Sequence, residues 1–228
     1  PMPLGHDLDA MADAITPATR LVYLANPNNP TGTWFGQAAL EAFMSRIPAS
    51  VIVVMDEAYA GLGAPGSEIA SAQPLLERHA NLVMTRTFSK AHGLAGLRIG
   101  YLVGAAGLVE VMERVRESFN VNALALVAAE TSLADATHLQ SVRDRNEAQR
   151  SALAEALAGL GINVLPSQTN FLLARIGPRT AAVEQALTLR NIVLRPMAGY
   201  GLPDWLRITV GTRQENERLL AALDEVRT

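Results

Sequence analysis

"SVIVVMDEAY", residues 50–59, decides how the chain is to be read. An unbroken apolar run, Val51 to Met55, stops abruptly at two carboxylates. A run this short and this uniformly apolar suits a strand buried on both faces. "RLVYLANPNNPTG" (20–32) and "NLVMTRTFSK" (81–90) have the same build, and "RIGYLVG" (98–104) reads as one further strand. Between them, "FGQAALEAFMSRI" (35–47) and "IASAQPLLERHAN" (69–81) carry helical spacing, the second interrupted by Pro74. Strands alternating with helices predict an α/β fold, a mostly parallel sheet with helices on both faces. Ligands of such sheets bind beyond the carboxyl ends of the strands. Here those ends carry Asn29, Asp56 and Lys90.

After residue 104 the texture changes. "GLVEVMERVRESF" and residues 123–161 read as long helices, with a break expected near Ala134–Thr137. Short strand-like runs follow in "INVLPSQTNFLLARI", "NIVLRPM" and "WLRITVG", with a helix near 179–190 and a final one over 213–226. The expected division is an α/β domain over residues 1–134 and a smaller α+β domain over 135–228.

The chain has 228 residues, 49% hydrophobic and 18% charged, which is the composition of a globular protein with a sizeable core. The net charge of -3 offers no basic field for nucleic acid or anionic membrane. With no cysteine there are no disulfides, thiolate metal sites or cysteine nucleophiles. The four histidines are too dispersed for a metal-ligand spacing, and no apolar run approaches a membrane span. No basic-then-apolar leader opens the sequence, so a cytoplasmic location is expected.

"TRTFSKAHGLAGLRIGY" (85–101) contains the chain's single lysine, Lys90, among 19 lysines and arginines. An arginine bias accounts for the scarcity of lysine but not for the position of the survivor. Arginine stays protonated and cannot act as a nucleophilic amine; lysine can, once burial or nearby cations depress its pKa. Lys90 is therefore a candidate for Schiff-base chemistry.

Its neighbours extend the case. Thr87 and Ser89 supply hydroxyls and Arg98 a guanidinium, a set suited to phosphate. Asp56 ends an apolar run, where a carboxylate either caps the next element or pairs with something cationic. Glu57 points to solvent or caps the next element, and Tyr59 can reach the side of the turn that Asp56 occupies. "NPNNPTG" (26–32) is either an ordinary loop or a stiff mount for the Asn29 amide. Arg207, inside the apolar "WLRITVG", needs a carboxylate partner or an anionic substrate, and Arg195 in "IVLRPM" invites the same reading. His92 reads as structural, with no base–nucleophile pair evident around it. Together these residues ask for a ligand with an aldehyde, a phosphate, a phenolic oxygen and a ring nitrogen, which is pyridoxal 5'-phosphate.

In "DLDAMADAITPATRLVYLANPNNPTGTW", "VVMDEAY", "TFSKAHGLAGLRIGY" and "VLRPMAGYGLPDWLRITVGT" the chain resembles the fold-type I, class I/II pyridoxal-phosphate aminotransferases, within them most of all the histidinol-phosphate aminotransferase group. The resemblance implies that Lys90 carries the cofactor and shuttles the substrate proton, and that Asp56 keeps the pyridine nitrogen protonated. It implies that Asn29 and Tyr59 bond the phenolic oxygen, that Thr87, Ser89 and Arg98 hold the phosphate, and that Arg195 and Arg207 grip the substrate. It further implies amino transfer between histidinol phosphate and 2-oxoglutarate, a homodimer, and an N-terminal third lying upstream of Pro1. An aromatic aminotransferase, a threonine-phosphate decarboxylase and a non-catalytic sensor domain share the build and remain alternatives.

Overall fold

The computed structural model describes residues 4–226, which fall into two compact units. The first comprises residues up to Asn28 together with Trp34–Arg143, and the second Asn29–Thr33 with Asp144 onward. The units part within a helix, between Arg143 and Asp144, rather than at 134/135, and the NPTG turn belongs with the second.

The first unit is built on the runs that opened the reading. β1 (Leu21–Ala25), β2 (Ile52–Asp56) and β3 (Leu82–Thr87) are parallel, and β4 (Gly100–Gly104) lies antiparallel to β3. They are ordered β1-β2-β3-β4. One row of the sheet runs Ala25, Asp56, Thr85, Leu102, so β1 and β2 end level with each other while β3 continues two residues further, to Thr87. Side chains alternate along a strand. Val53 and Met55 of β2 and Leu82 and Met84 of β3 join one buried cluster with Leu8 of α1 (Leu8–Asp13) and Leu40, Phe43 and Met44 of α2 (Gln37–Arg46). Asp56 is thereby set on the other face. Gly100 is required where β4 meets β3, because a Cβ there would lie 2.7 Å from the Arg86 carbonyl oxygen.

The stretch 69–81 is not the expected helix. It holds a single 3-10 turn at Gln73–Leu75, containing Pro74. The N–H groups of Ala70, Ser71 and Ala72 donate to the Phe35 carbonyl, the Gln37 side chain and the Glu57 carboxylate. α3 (Ala106–Val115) and α4 (Ala123–Ala134) follow, the latter capped by Asn122, whose side chain accepts from Ala125 N–H at 2.8 Å. The expected break falls at Asp135, which ends α4 and accepts from His138 N–H in the first turn of α5 (Ala136–Gly159).

The second unit is an antiparallel sheet in the order β5-β6-β8-β7, made of β5 (Asn163–Val164), β6 (Phe171–Arg175), β7 (Arg195–Pro196) and β8 (Trp205–Thr209). Leu172, Ala174 and Ile208 bury one face against Leu153 and Leu157 of α5, Val183 and Leu187 of α6 (Thr180–Thr188), and Leu219 and Leu223 of α7 (Arg213–Val226). The opposite face carries Leu173, Arg207 and Arg195 in one row. No helix among the described residues is long and apolar enough to cross a membrane.

Candidate active site

The first unit gathers six of the expected residues around the ends of β2 and β3. Asp56 closes β2, and its Oδ1 accepts from Ala58 N–H at 3.0 Å. Thr87 closes β3; its hydroxyl donates to Ser89 Oγ at 2.9 Å and accepts from Ser89 N–H at 3.1 Å. Lys90 is exposed, with Nζ 5.3 Å from the centroid of the buried Tyr59 ring.

The turn bearing Lys90 is closed by its own backbone. Gly93 N–H donates to the Lys90 carbonyl, Leu94 N–H to that of Phe88, and Phe88 N–H to that of Ile99. Arg98 ends this turn in the left-handed region at φ 53° and ψ 47°, and its Nη1 donates to the Ala95 carbonyl at 2.8 Å. A non-glycine residue held there is locally strained, a condition that concentrates at ligand sites.

His92 does have a hydroxyl partner, Ser132 Oγ at 2.7 Å from Nδ1, and its ring lies 4.8 Å from that of Phe88. The bond joins the Lys90 turn to α4. Burial, then the charges of His138 and Arg86, push the His92 pKa down.

The expectation for Glu57 is corrected. Its side chain is 2% exposed and neither faces solvent nor caps the next element. It accepts from Ser71 Oγ at 2.9 Å, Ala72 N–H at 2.7 Å, and Arg86 Nε and Nη2 at 3.0 and 2.7 Å. Burial alone would lower the Arg86 pKa, but the bonds and charge of Glu57, aided by Tyr101, outweigh it and hold the guanidinium above its ordinary value. Sequence reasoning missed this pair. The available signal was Arg86 inside an otherwise uncharged strand, in need of a carboxylate.

The second unit gathers Asn29, Arg195 and Arg207. Arg207 Nη1 donates to Asn29 Oδ1 at 2.6 Å, and its guanidinium lies 5.0 Å over the Phe171 ring. Its partner is thus an amide rather than the carboxylate that a purely structural role predicts, and its Nε is buried without a hydrogen bond. Arg195 stands directly opposite on β7. Like charges facing each other across a ladder repel, so the row favours an anion. Asn29 itself is mounted rigidly: Gln168 N–H donates to the Gly32 carbonyl, and Gly32, at φ 78°, presses against Ser167. Ser167 and Thr169 were not foreseen; their hydroxyls bond each other at 2.9 Å in the loop that seats the turn.

An amine on an exposed stem, a carboxylate at a level strand end, paired hydroxyls and a guanidinium fit the donor set of a phosphorylated aldehyde with a basic ring. The sequence profile described as "Aminotransferase class I and II" matches residues 3–223. The chain belongs to the class I and II aminotransferases. Among curated relatives it is 46% identical over 222 residues to histidinol-phosphate aminotransferase 2 of Pseudomonas aeruginosa, covering 97% of this chain and 60% of the relative. It is 48% identical over 222 residues to histidinol-phosphate aminotransferase 1 of Thiobacillus denitrificans, covering 97% and 57%. The crystal structure of histidinol-phosphate aminotransferase from Sinorhizobium meliloti in complex with pyridoxal-5'-phosphate superposes with a TM-score of 0.88 at 32% identity, covering 98% of this chain and 61% of that one. The chain therefore spans about 60% of the length of the curated relatives it matches. The mostly parallel α/β sheet expected from the strand runs, and the aminotransferase fold that the motifs' resemblance implied, agree with this superposition.

Proposed function

We propose that this chain carries the reacting lysine of a pyridoxal-phosphate aminotransferase that exchanges an amino group between histidinol phosphate and 2-oxoglutarate in histidine biosynthesis. The observation that carries the reading is the single lysine, Lys90, set beyond β3 beside Tyr59, Thr87 and Ser89 while Asp56 ends the adjacent strand. The similarity to histidinol-phosphate aminotransferases supports the substrate assignment. The bound cofactor supplies a conjugated, electron-withdrawing ring that disperses negative charge developing at the substrate Cα.

The chain's residues divide the remaining work. Asp56 holds the proton on the ring nitrogen, as a carboxylate at that position can only accept. Lys90 would hold the cofactor covalently through its amine, and that amine, once free, would carry the proton taken from the substrate Cα. Asn29 has its amide oxygen engaged by Arg207, which leaves the amide nitrogen to donate to a ligand oxygen; Tyr59 would donate its hydroxyl to the phenolic oxygen. Thr87, Ser89 and Arg98 bind the phosphate, and Arg207 with Arg195 binds the anionic end of the substrate. The working protein is a cytoplasmic homodimer in this reading.

The test uses the solitude of Lys90. After incubation with pyridoxal phosphate and reduction with borohydride, peptide mapping should find the cofactor on Lys90, and Lys90→Arg should lose the label. Modification confined to the N-terminal amine would sink the assignment.

A further inference from the structure

We propose that the pair formed by the buried Glu57 and the partly exposed Arg86 is a positioning device that fixes the distance between Asp56 and the Lys90 turn. The proposal rests on the roles given above to Asp56 and Lys90. Glu57 directly follows Asp56, and its N–H donates to the Thr85 carbonyl at 2.9 Å, continuing the β2–β3 ladder one step past the strand. Arg86 lies between Thr85, which is level with Asp56, and Thr87, which bonds Ser89. Neighbouring residues of an extended chain point to opposite faces. Clamping Glu57 and Arg86 behind the sheet therefore sets the rotation of the backbone that aims Asp56 and Thr87 in front of it.

The clamp is fully engaged. Oε2 of Glu57 takes both Arg86 donors, and Oε1 takes Ser71 Oγ and Ala72 N–H. Arg86 is also level with Tyr101 on β4, whose ring lies 5.7 Å from that of Phe88, two residues before Lys90. A continuous set of contacts thus runs from the residue after Asp56 to the turn that carries the amine. Stability alone does not call for it, because an ion pair taken partly out of water is often no better than a neutral replacement. What a neutral pair lacks is the geometry of a guanidinium fork on a carboxylate.

The single lysine makes the test direct. Trinitrobenzenesulfonate reports the Lys90 amine without needing a cradle, whereas pyridoxal phosphate with borohydride labels Lys90 efficiently only if the cradle is in register. The double variant Glu57→Gln/Arg86→Gln leaves no lone buried charge, and its folding is followed by circular dichroism. The expected result is unchanged trinitrophenylation with cofactor labelling of Lys90 slower by about tenfold, short of the loss that a full 1 Å misplacement can cause. An unchanged ratio of the two reactions in the double variant, with wild type labelled normally, overturns this inference alone. A wild-type Lys90 that takes trinitrobenzenesulfonate but no cofactor overturns the cofactor reading and this inference with it. Should the double variant fail to fold, Ser71→Ala removes one donor from Glu57 and keeps the charges balanced. It should lower the same ratio by a smaller factor, and no change there overturns the proposal.

Discussion

Gly32 shows how little room single residues have in this site. It sits at φ 78°, and a Cβ would fall 2.4 Å from Ser167 Oγ, itself bonded to the Phe171 carbonyl. Gly32→Ala should destabilise the protein by about 1–3 kcal/mol through backbone strain and overpacking. Urea unfolding checks this; a smaller loss would mean that Ser167 yields. A pH effect belongs to this scale too. Burial, then His138 and Arg86, depress His92 from its ordinary 6.5, and burial does the same to His6. The unfolded chain then binds protons that the folded one refuses, so stability rises with pH across that interval. The contribution is intact above pH 6.5 and is lost as pH falls toward the depressed folded value. His92→Gln should flatten the pH dependence of the urea midpoint, with His6 supplying what remains; an unaltered slope would remove His92 from the account. The positions of Asp56 at the end of β2 and Lys90 just beyond β3 were legible in the sequence because an apolar run that stops at polar residues marks a strand end. The burial of Glu57 was not, because its partner Arg86 lies 29 residues away and only the sheet register brings them together.

Elements differ in how far their own residues decide them. β1 to β3 follow from their apolar runs, and the Asp135 break follows from a residue that can end one helix and cap the next. The 69–81 stretch has helical spacing but is held by Phe35, Gln37 and Glu57, partners that its local pattern cannot announce. β7 and β8 were legible as strands, although β7 keeps only Arg195 and Pro196. Their pairing yields a prediction. With Arg195 directly opposite Arg207, the row presents two guanidiniums, which suit a phosphate monoester carrying close to two charges better than one carboxylate. In the full-length enzyme, Arg195→Ala should raise the barrier for histidinol phosphate more than for phenylalanine. Arg207→Ala should impair both, because in the proposed reaction 2-oxoglutarate would also need it, with losses of about 2–5 kcal/mol where a hydrogen-bonded charge loses its partner. Steady-state kcat/KM on both substrates decides it; equal losses from Arg195→Ala would make that residue structural and favour an aromatic aminotransferase.

At the scale of the whole molecule, the first unit leaves surface that a solitary chain would cover. β1 and β4 each pair on one side only among the described strands, and unpaired edges invite association. Beside the β4 edge, a cavity of about 750 Å³ is lined by Tyr101, Met112, Phe119 and Leu126 among others. Phe119 is 99% exposed, and α4 presents Leu124, Leu126, Val127 and Leu133 outward. Scattered exposed apolar residues are ordinary, but several on one short helix beside an open cavity mark a candidate interaction surface. The homodimer proposed above commits that surface to a second copy of the chain. Sedimentation should therefore show association that strengthens with concentration. Val127→Glu, at a side chain already 64% exposed, should weaken it while leaving the far-UV circular dichroism spectrum unchanged, because nothing in the core is disturbed. Sedimentation as a monomer at every concentration would remove the second copy from this face. Association that survives Val127→Glu would place it instead along the strand edges, where backbone groups rather than side chains do the pairing.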